Sequence, residues 1–357
     1  MRFVLFGATG DLAQKKILPA LESLKVRGAD IDIVQVSRRS AVAVDVEAGT
    51  GYDALEKLLG TEPAMVYISL APRLHPRVVE ALGERGLLCR GKTKLLIEKP
   101  FGTDLSSAIA LDALIWRYLD ESDIYRVDHY LCKAAVQDAM DGNNDKNGKA
   151  ACGPAASIRV RLFEEKGIDG RGASYDGVGA FRDVGQNHLL EMTAVALAAC
   201  RLPDPKGATG GEWQAARAEI LRKLVPPENT CIDFRRGQYE GYLSESGVAP
   251  GSTTETAFRV VTMVDGIHIA LEAGKKMGSS EASILVSYKD GTEARFDLRA
   301  GRDAYERVIE AALQGSRREF VGREEVLALW SYADRASACW NTVPLETYGK
   351  DRPFLIQ

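Results

Sequence analysis

The chain is poor in the residues that staple small folds or hold metals. Its 357 residues include six cysteines, at positions 89, 132, 152, 200, 231 and 339, and no two form a C-x-x-C pair. That spacing argues against a disulfide framework or a zinc site and fits scattered reduced thiols, with a cytoplasmic address. No apolar run approaches the roughly 18–20 residues of a membrane-spanning helix. Charge of one sign is scarce too: 50 acidic against 46 basic side chains leave a formal charge of −4. Nucleic-acid binders usually carry a clear basic surplus, so polyanion binding is excluded as the main business. Hydrophobic residues make up 45% of the chain and charged residues 27%. So much apolar surface can offset the entropy of ordering, which excludes disorder as the dominant state. The N-terminus, MRFVLFGATGDL, reads as a first strand entering a glycine turn and not as a cleavable leader.

What is present alternates in two styles. Over the first third, the apolar runs 2–6, 31–36, 65–70 and 93–97 look like buried strands, with helical patterns at 14–26, 52–59, 75–84 and 105–119 between them. That is the signature of an α/β Rossmann-type parallel sheet, placed at 1–137. Residues 138–154, DAMDGNNDKNGKAACGP, are too polar to hold an apolar face and read as a linker or loop. Beyond it, longer runs at 156–163, 256–264, 266–273 and 281–298 predict strands, the last turning at Asp290-Gly291 as a hairpin. Helical patterns recur at 186–199, 212–224, 303–313 and 323–334. The region 155–357 is therefore expected to be an α+β domain with a mainly antiparallel sheet, serving substrate binding and assembly.

The first strand runs into Gly7-Ala8-Thr9-Gly10-Asp11-Leu12-Ala13, a G-x-x-G-x-x-A turn opening a helix. Such a turn lets the backbone approach a pyrophosphate while the helix offers free N–H groups; an ordinary βα turn would also satisfy it. Coenzyme choice is read at the end of the second strand, where an acid holds the ribose hydroxyls of NAD and an arginine pairs with the 2′-phosphate of NADP. Here stand Ser37-Arg38-Arg39-Ser40, with no carboxylate. NADP is favoured, with Arg38 on the phosphate and Arg39 stacked on the adenine, against the alternative of two solvated arginines. NAD remains the weaker alternative.

Only four histidines occur, at 75, 129, 188 and 268. His129 lies in YRVDHYLCK; a helix beginning at Asp128 would put His129 and Lys133 four apart on one face, with Tyr130 beside them. An imidazole, a phenol and an ammonium so placed can bind a phosphate. His188 lies in RDVGQNHLL, and a histidine titrates where proton abstraction near neutral pH needs it. On the residues alone, each is as readily a structural histidine as a functional one.

The segments FGATGDLAQKKILPAL, IEKPFGTDLSSA, YRVDHYLCKAAVQ and IDGRGASYDGVGAFRDVGQNHLLEM, with the shorter RGQY, TET and DAYERVI, together resemble glucose-6-phosphate dehydrogenase from residue 1 to about 330. The resemblance implies that His188 is the general base taking the C1 hydroxyl proton and that Asp128 orients it. It places His129, Tyr130 and Lys133 on the sugar phosphate, and Glu164, Asp183 and Lys275 on the rest of the substrate. Lys99 would touch both substrate and coenzyme, and Pro100 would shape the nicotinamide pocket. Gly7, Thr9, Gly10, Asp11, Leu12, Ser37 and Arg38 fall on coenzyme positions. No metal is implied, since hydride transfer from an alcohol needs a base, alignment and a nicotinamide.

The chain is shorter than usual members, and it departs from their pattern at Cys132, Ala134 and Ser280 and in the stretch before DAYERVI. The expected substrate is glucose 6-phosphate. A related phosphosugar in a specialised biosynthetic pathway is the alternative, and a catalytically silent sugar-phosphate or NADP sensor is a third reading. In the family the large sheet builds a homodimer, which the shortening puts in question.

Overall fold

The computed structural model describes residues 1–60, 62–142, 153–225, 234–299, 301, 303–340, 342–349 and 354. The chain forms two compact units. The first comprises Met1–Cys132, Thr209–Gln214 and Arg302–Leu327; the second comprises Lys133–Ala208, Ala215–Gly301 and Ala328–Gln357.

In the first unit six strands pair in parallel: β1 (Arg2–Phe6), β2 (Asp32–Ser37), β3 (Val42–Ala43), β4 (Ala64–Ile68), β5 (Thr93–Glu98) and β6 (Ile124–Val127), in the order β3-β2-β1-β4-β5-β6. Parallel sheets are covered on both faces, so their strands read as unbroken apolar runs; Phe3, Val4, Leu5 and Phe6 of β1 are all fully buried. The order reverses between β1 and β4, which opens a crevice at the carboxyl ends of the strands. Helices Tyr52–Leu59 and His75–Glu84 end where the apolar periodicity ends. The helix from Leu105 stops at Ile115, not at 119; Asp104 and Ser107 form a reciprocal capping box at its start.

A distant segment completes this unit. Helix Ala304–Gln314 sends Val308 and Ile309 into the same buried cluster as Phe3, Leu5 and Tyr67. It is fastened by charge as well: Arg126 on β6 donates to Asp112 and Glu121, both at 2.7 Å, while Arg323 reaches Asp112 at 2.5 Å and Arg317 reaches Glu121 at 3.2 Å.

The second unit holds a seven-stranded sheet, β12-β11-β7-β10-β9-β8-β13, from β7 (Ala155–Phe163), β8 (Phe234–Tyr239), β9 (Ala257–Val264), β10 (Ile267–Gly274), β11 (Glu281–Tyr288), β12 (Glu293–Asp297) and β13 (Leu345–Tyr348). The hairpin at Asp290-Gly291 joins β11 to β12. The sheet is mixed, because β7 pairs with β10 and β8 with β13 in parallel. Much of the polar stretch 138–154 lies outside the described residues.

Among the described residues no helix is long and apolar enough to cross a membrane. Cys89, Cys132 and Cys200 are free thiols, but Cys339 is disulfide-bonded. That corrects the expectation of six reduced thiols and removes one support for a cytoplasmic address; Cys152 and Cys231 lie outside the described residues.

Candidate active site

In the first unit, β1 delivers the chain to Gly7 in the left-handed region at φ +79°. A Cβ there would collide with the Ser69 carbonyl oxygen, so only glycine lets the turn lie against the end of β4. The Gly7 N–H donates to Val36 O at 3.0 Å and the Gly10 N–H to Gly7 O at 2.8 Å. Beside this turn lies a cavity of about 750 Å³ whose wall includes Gly7, Thr9, Ser37, Arg38, Arg39 and Leu70. Ser37 Oγ accepts the Arg39 N–H at 3.1 Å, turning the chain at the tip of β2. Arg38 and Arg39 are exposed. The turn that admits no side chain and two guanidiniums at the pocket's rim fit the pyrophosphate and 2′-phosphate of a dinucleotide. Gly10, Asp11 and Leu12 follow Thr9 but do not line this cavity; Asp11 pairs instead with Lys15 at 2.7 Å.

At the ends of β5 and β6 the same unit gathers a second group. Lys99 and Pro100 follow β5 through a cis peptide bond. Just before them Glu98, 4% exposed, accepts the Tyr67 hydroxyl at 2.6 Å and also bonds Tyr305. Asp128 is buried at the end of β6, and its Oδ1 accepts the Tyr130 N–H at 2.9 Å. His129 stacks on Tyr305 with ring centroids 5.3 Å apart and planes 20° apart. The expected helix from Asp128 is corrected here. His129–Cys132 is a 3₁₀ turn, and the helix begins at Ala134 with Lys133 extended at its N-cap (ψ 140°). Asp128 bonds the next turn's N–H groups and halts the helix that spacing alone suggested, so His129 and Lys133 share no helix face.

Burial drives the Glu98 carboxyl from its ordinary 4.5 up to about 7, against the lowering pull of Tyr67, Lys99 and Tyr305. Between those values the folded chain holds a proton that the unfolded chain has released, so stability falls as pH rises across that window. Glu98→Gln removes the titration. Urea unfolding at about pH 5 and about pH 7.5 should show the wild-type chain losing on the order of 2 kcal/mol more than the variant. Equal losses in both would refute the assignment.

In the second unit, parallel pairing decides the site. Phe163 ends β7 opposite Gly274 at the end of β10, so the residues that follow, Glu164 and Lys275, emerge side by side. Lys275 Nζ lies 2.5 Å from Glu164 Oε2 and 3.7 Å from Asp183 Oδ2. Its backbone is braced twice: the Lys275 N–H donates to Thr256 O at 2.9 Å, and the Tyr348 hydroxyl donates to Lys275 O at 2.6 Å.

Asp183 and His188 ride on Phe181–Leu189, a π-helical stretch and not the α-helix from 186 that the pattern suggested. Its i→i+5 bonding puts these two residues, five apart, on successive turns. Gly185 sits at its centre because a Cβ there would strike the rings of Phe258 and Phe181. The start is pinned by Glu255, which accepts the Phe181 N–H and the Trp340 indole N–H, each at 3.0 Å. His188 is 2% exposed and its N–H donates to Asn187 Oδ1 at 2.7 Å. Sequence reasoning missed Glu98, Tyr67, Tyr305 and Glu255. The signals were that Glu98 adjoins Lys99, that Tyr305 stands in DAYERVI and that Glu255 stands in TET.

Residues 4–41 and 33–138 match the family model described as glucose-6-phosphate dehydrogenase, NAD binding domain, and residues 155–301 match its C-terminal domain. The chain is 32% identical over 324 residues to glucose-6-phosphate 1-dehydrogenase 1 of Mycobacterium bovis, an alignment spanning 77% of this chain and 66% of that relative's length. It is 28% identical to glucose-6-phosphate 1-dehydrogenase of Bacillus subtilis, over 94% of this chain and 91% of the relative. The crystal structure of glucose-6-phosphate 1-dehydrogenase from Mycobacterium avium superposes with a TM-score of 0.80 at 26% identity, covering 98% of this chain and 93% of the other.

Proposed function

The chain belongs to the glucose-6-phosphate dehydrogenase family, and from that premise we propose that it oxidises the C1 hydroxyl of glucose 6-phosphate to the 6-phosphogluconolactone with NADP as acceptor. The observation that carries this reading is the grouping of Lys275, Glu164 and Asp183 at one end of the second sheet, with Asp183 on the same π-helical stretch as His188. An ammonium flanked by two carboxylates offers donors and acceptors to neighbouring sugar hydroxyls. His188 takes the C1 hydroxyl proton onto a ring nitrogen, and Asp128 orients that imidazole. His129, Tyr130 and Lys133 hold the phosphate, and Lys99 and Pro100 border the reacting carbon. The nicotinamide, when bound, accepts the hydride that leaves C1 as the carbonyl forms.

NADP reduction measured against phosphorylated and free sugars, repeated with NAD, tests the proposal. Glucose 6-phosphate should give the highest kcat/KM; a much higher value for another phosphosugar would move the chain to a specialised pathway. Binding of NADP without turnover of any sugar would make it a sensor. Arg38→Ala should weaken NADP by about tenfold, the worth of a charge-assisted phosphate contact, and NAD by far less. Equal losses for the two coenzymes would contradict the 2′-phosphate role.

A further inference from the structure

A third guanidinium lies on the same wall as Arg38 and Arg39. Arg73, in the short helical turn Pro72–Leu74, lines the coenzyme pocket, and so does Glu47. The two are joined, Arg73 donating to Glu47 Oε1 at 2.5 Å. The loop that carries Glu47 is itself built to hold it there. Asp45 Oδ1 accepts the N–H groups of Glu47 and Ala48, both at 3.0 Å. Asp45 and Thr50 exchange backbone hydrogen bonds at 3.0 and 3.1 Å, and Arg77 donates to the Glu47 carbonyl oxygen at 2.8 Å. A loop closed at its base and tied from helix His75–Glu84 thus presents the Glu47 carboxylate to the same wall as Arg38, Arg39 and Arg73, while Asp45 on that wall is engaged by the loop's own N–H groups.

The consequence is electrostatic. A phosphate monoester carries about −1.5 to −2 charges at neutral pH, so a carboxylate in its pocket repels it. Glu47 also occupies donors that Arg73 could turn toward a phosphate. Arg38 and Arg39 are not so committed: among the described residues neither guanidinium takes part in an ion pair. A ribose bearing two neutral hydroxyls feels the Glu47 charge weakly.

We propose that Glu47 is a specificity-determining residue that restrains the preference for a 2′-phosphorylated coenzyme by holding Arg73 in an ion pair. The inference rests on the NADP reading above and deepens it, because it names the residue that sets how much of that preference is realised.

Calorimetric binding of 2′,5′-ADP and of 5′-AMP tests it. The two probes differ only in the 2′-phosphate, and neither requires sugar turnover. Glu47→Gln removes the charge but keeps a carboxamide oxygen for Arg73, so the loop keeps its tie. This variant should bind 2′,5′-ADP about 3–10-fold tighter and 5′-AMP within about twofold of wild type, with the gain shrinking as salt rises. Arg73→Ala leaves the carboxylate unbalanced and should weaken 2′,5′-ADP about 3–10-fold. The double variant, which deletes both charges at once, should return to within about twofold of wild type, because the two opposite charge effects cancel. A Glu47→Gln chain that discriminates between the probes no better than wild type would overturn the inference. A wild-type chain that binds both probes equally would overturn the Arg38 assignment instead.

Discussion

The His188→Asn variant is expected to lose about 10²–10⁴-fold in kcat, the usual worth of a positioned general base, while its affinity for glucose 6-phosphate changes little. Asparagine can still donate and accept hydrogen bonds, but it cannot carry away the C1 hydroxyl proton. The substitution should be tolerated structurally. His188 is anchored through its backbone N–H to Asn187 Oδ1, a bond that does not involve the imidazole, and the π-helical stretch is pinned at its start by Glu255. Steady-state kinetics, equilibrium binding of the sugar phosphate and circular dichroism separate chemistry from folding. The acid limb of the pH–rate profile should disappear with the base. Turnover near the wild-type level would remove His188 from the mechanism.

Lys275→Met is expected to lower kcat/KM for the sugar phosphate by about 10²-fold, near the lower end of what truncating one partner of a buried charge pair costs. The lower end applies because Glu164 is 45% exposed and Asp183 30% exposed, whereas the Lys275 side chain is only 5% exposed. Water can therefore rescue part of the carboxylate charge left behind. Methionine fills most of the volume, so the loss reports the ammonium and not a cavity. Kinetics alongside thermal unfolding distinguish a damaged site from a damaged fold. An unchanged kcat/KM would leave the lysine a structural clamp between strand ends.

Helix limits such as Tyr52–Leu59 and His75–Glu84 were legible because the 3.6-residue apolar period is local and strong there. Strands β1, β2, β4 and β5 were legible by a different signal, the apolar runs of a sheet covered on both faces. Strands β8 and β13 were not: FRRGQY and LETY show neither alternation nor an apolar run, and they are strands because of the neighbours they pair with. Helix Ala304–Gln314 was read correctly as a helix, but nothing local told that Val308 and Ile309 would join the cluster of Phe3 and Tyr67. The run DHYLCK misled because helical spacing ignores what Asp128 does to the backbone after it.

The motifs carried the chemistry: a histidine, the lysines, the acids and a glycine turn are visible as residue types in order along the chain, since covalent sequence dictates which functional groups exist and which local turns are cheap. Which of them meet was settled elsewhere. Glu164 and Lys275 are over a hundred residues apart and touch because two parallel strands end at the same level. Glu47 and Arg73 meet because the chain leaving β3 and the chain leaving β4 both emerge at the carboxyl end of the parallel sheet. Such meetings depend on long-range strand pairing, whose register is set by the burial of whole faces and leaves no periodic mark near the residues it brings together.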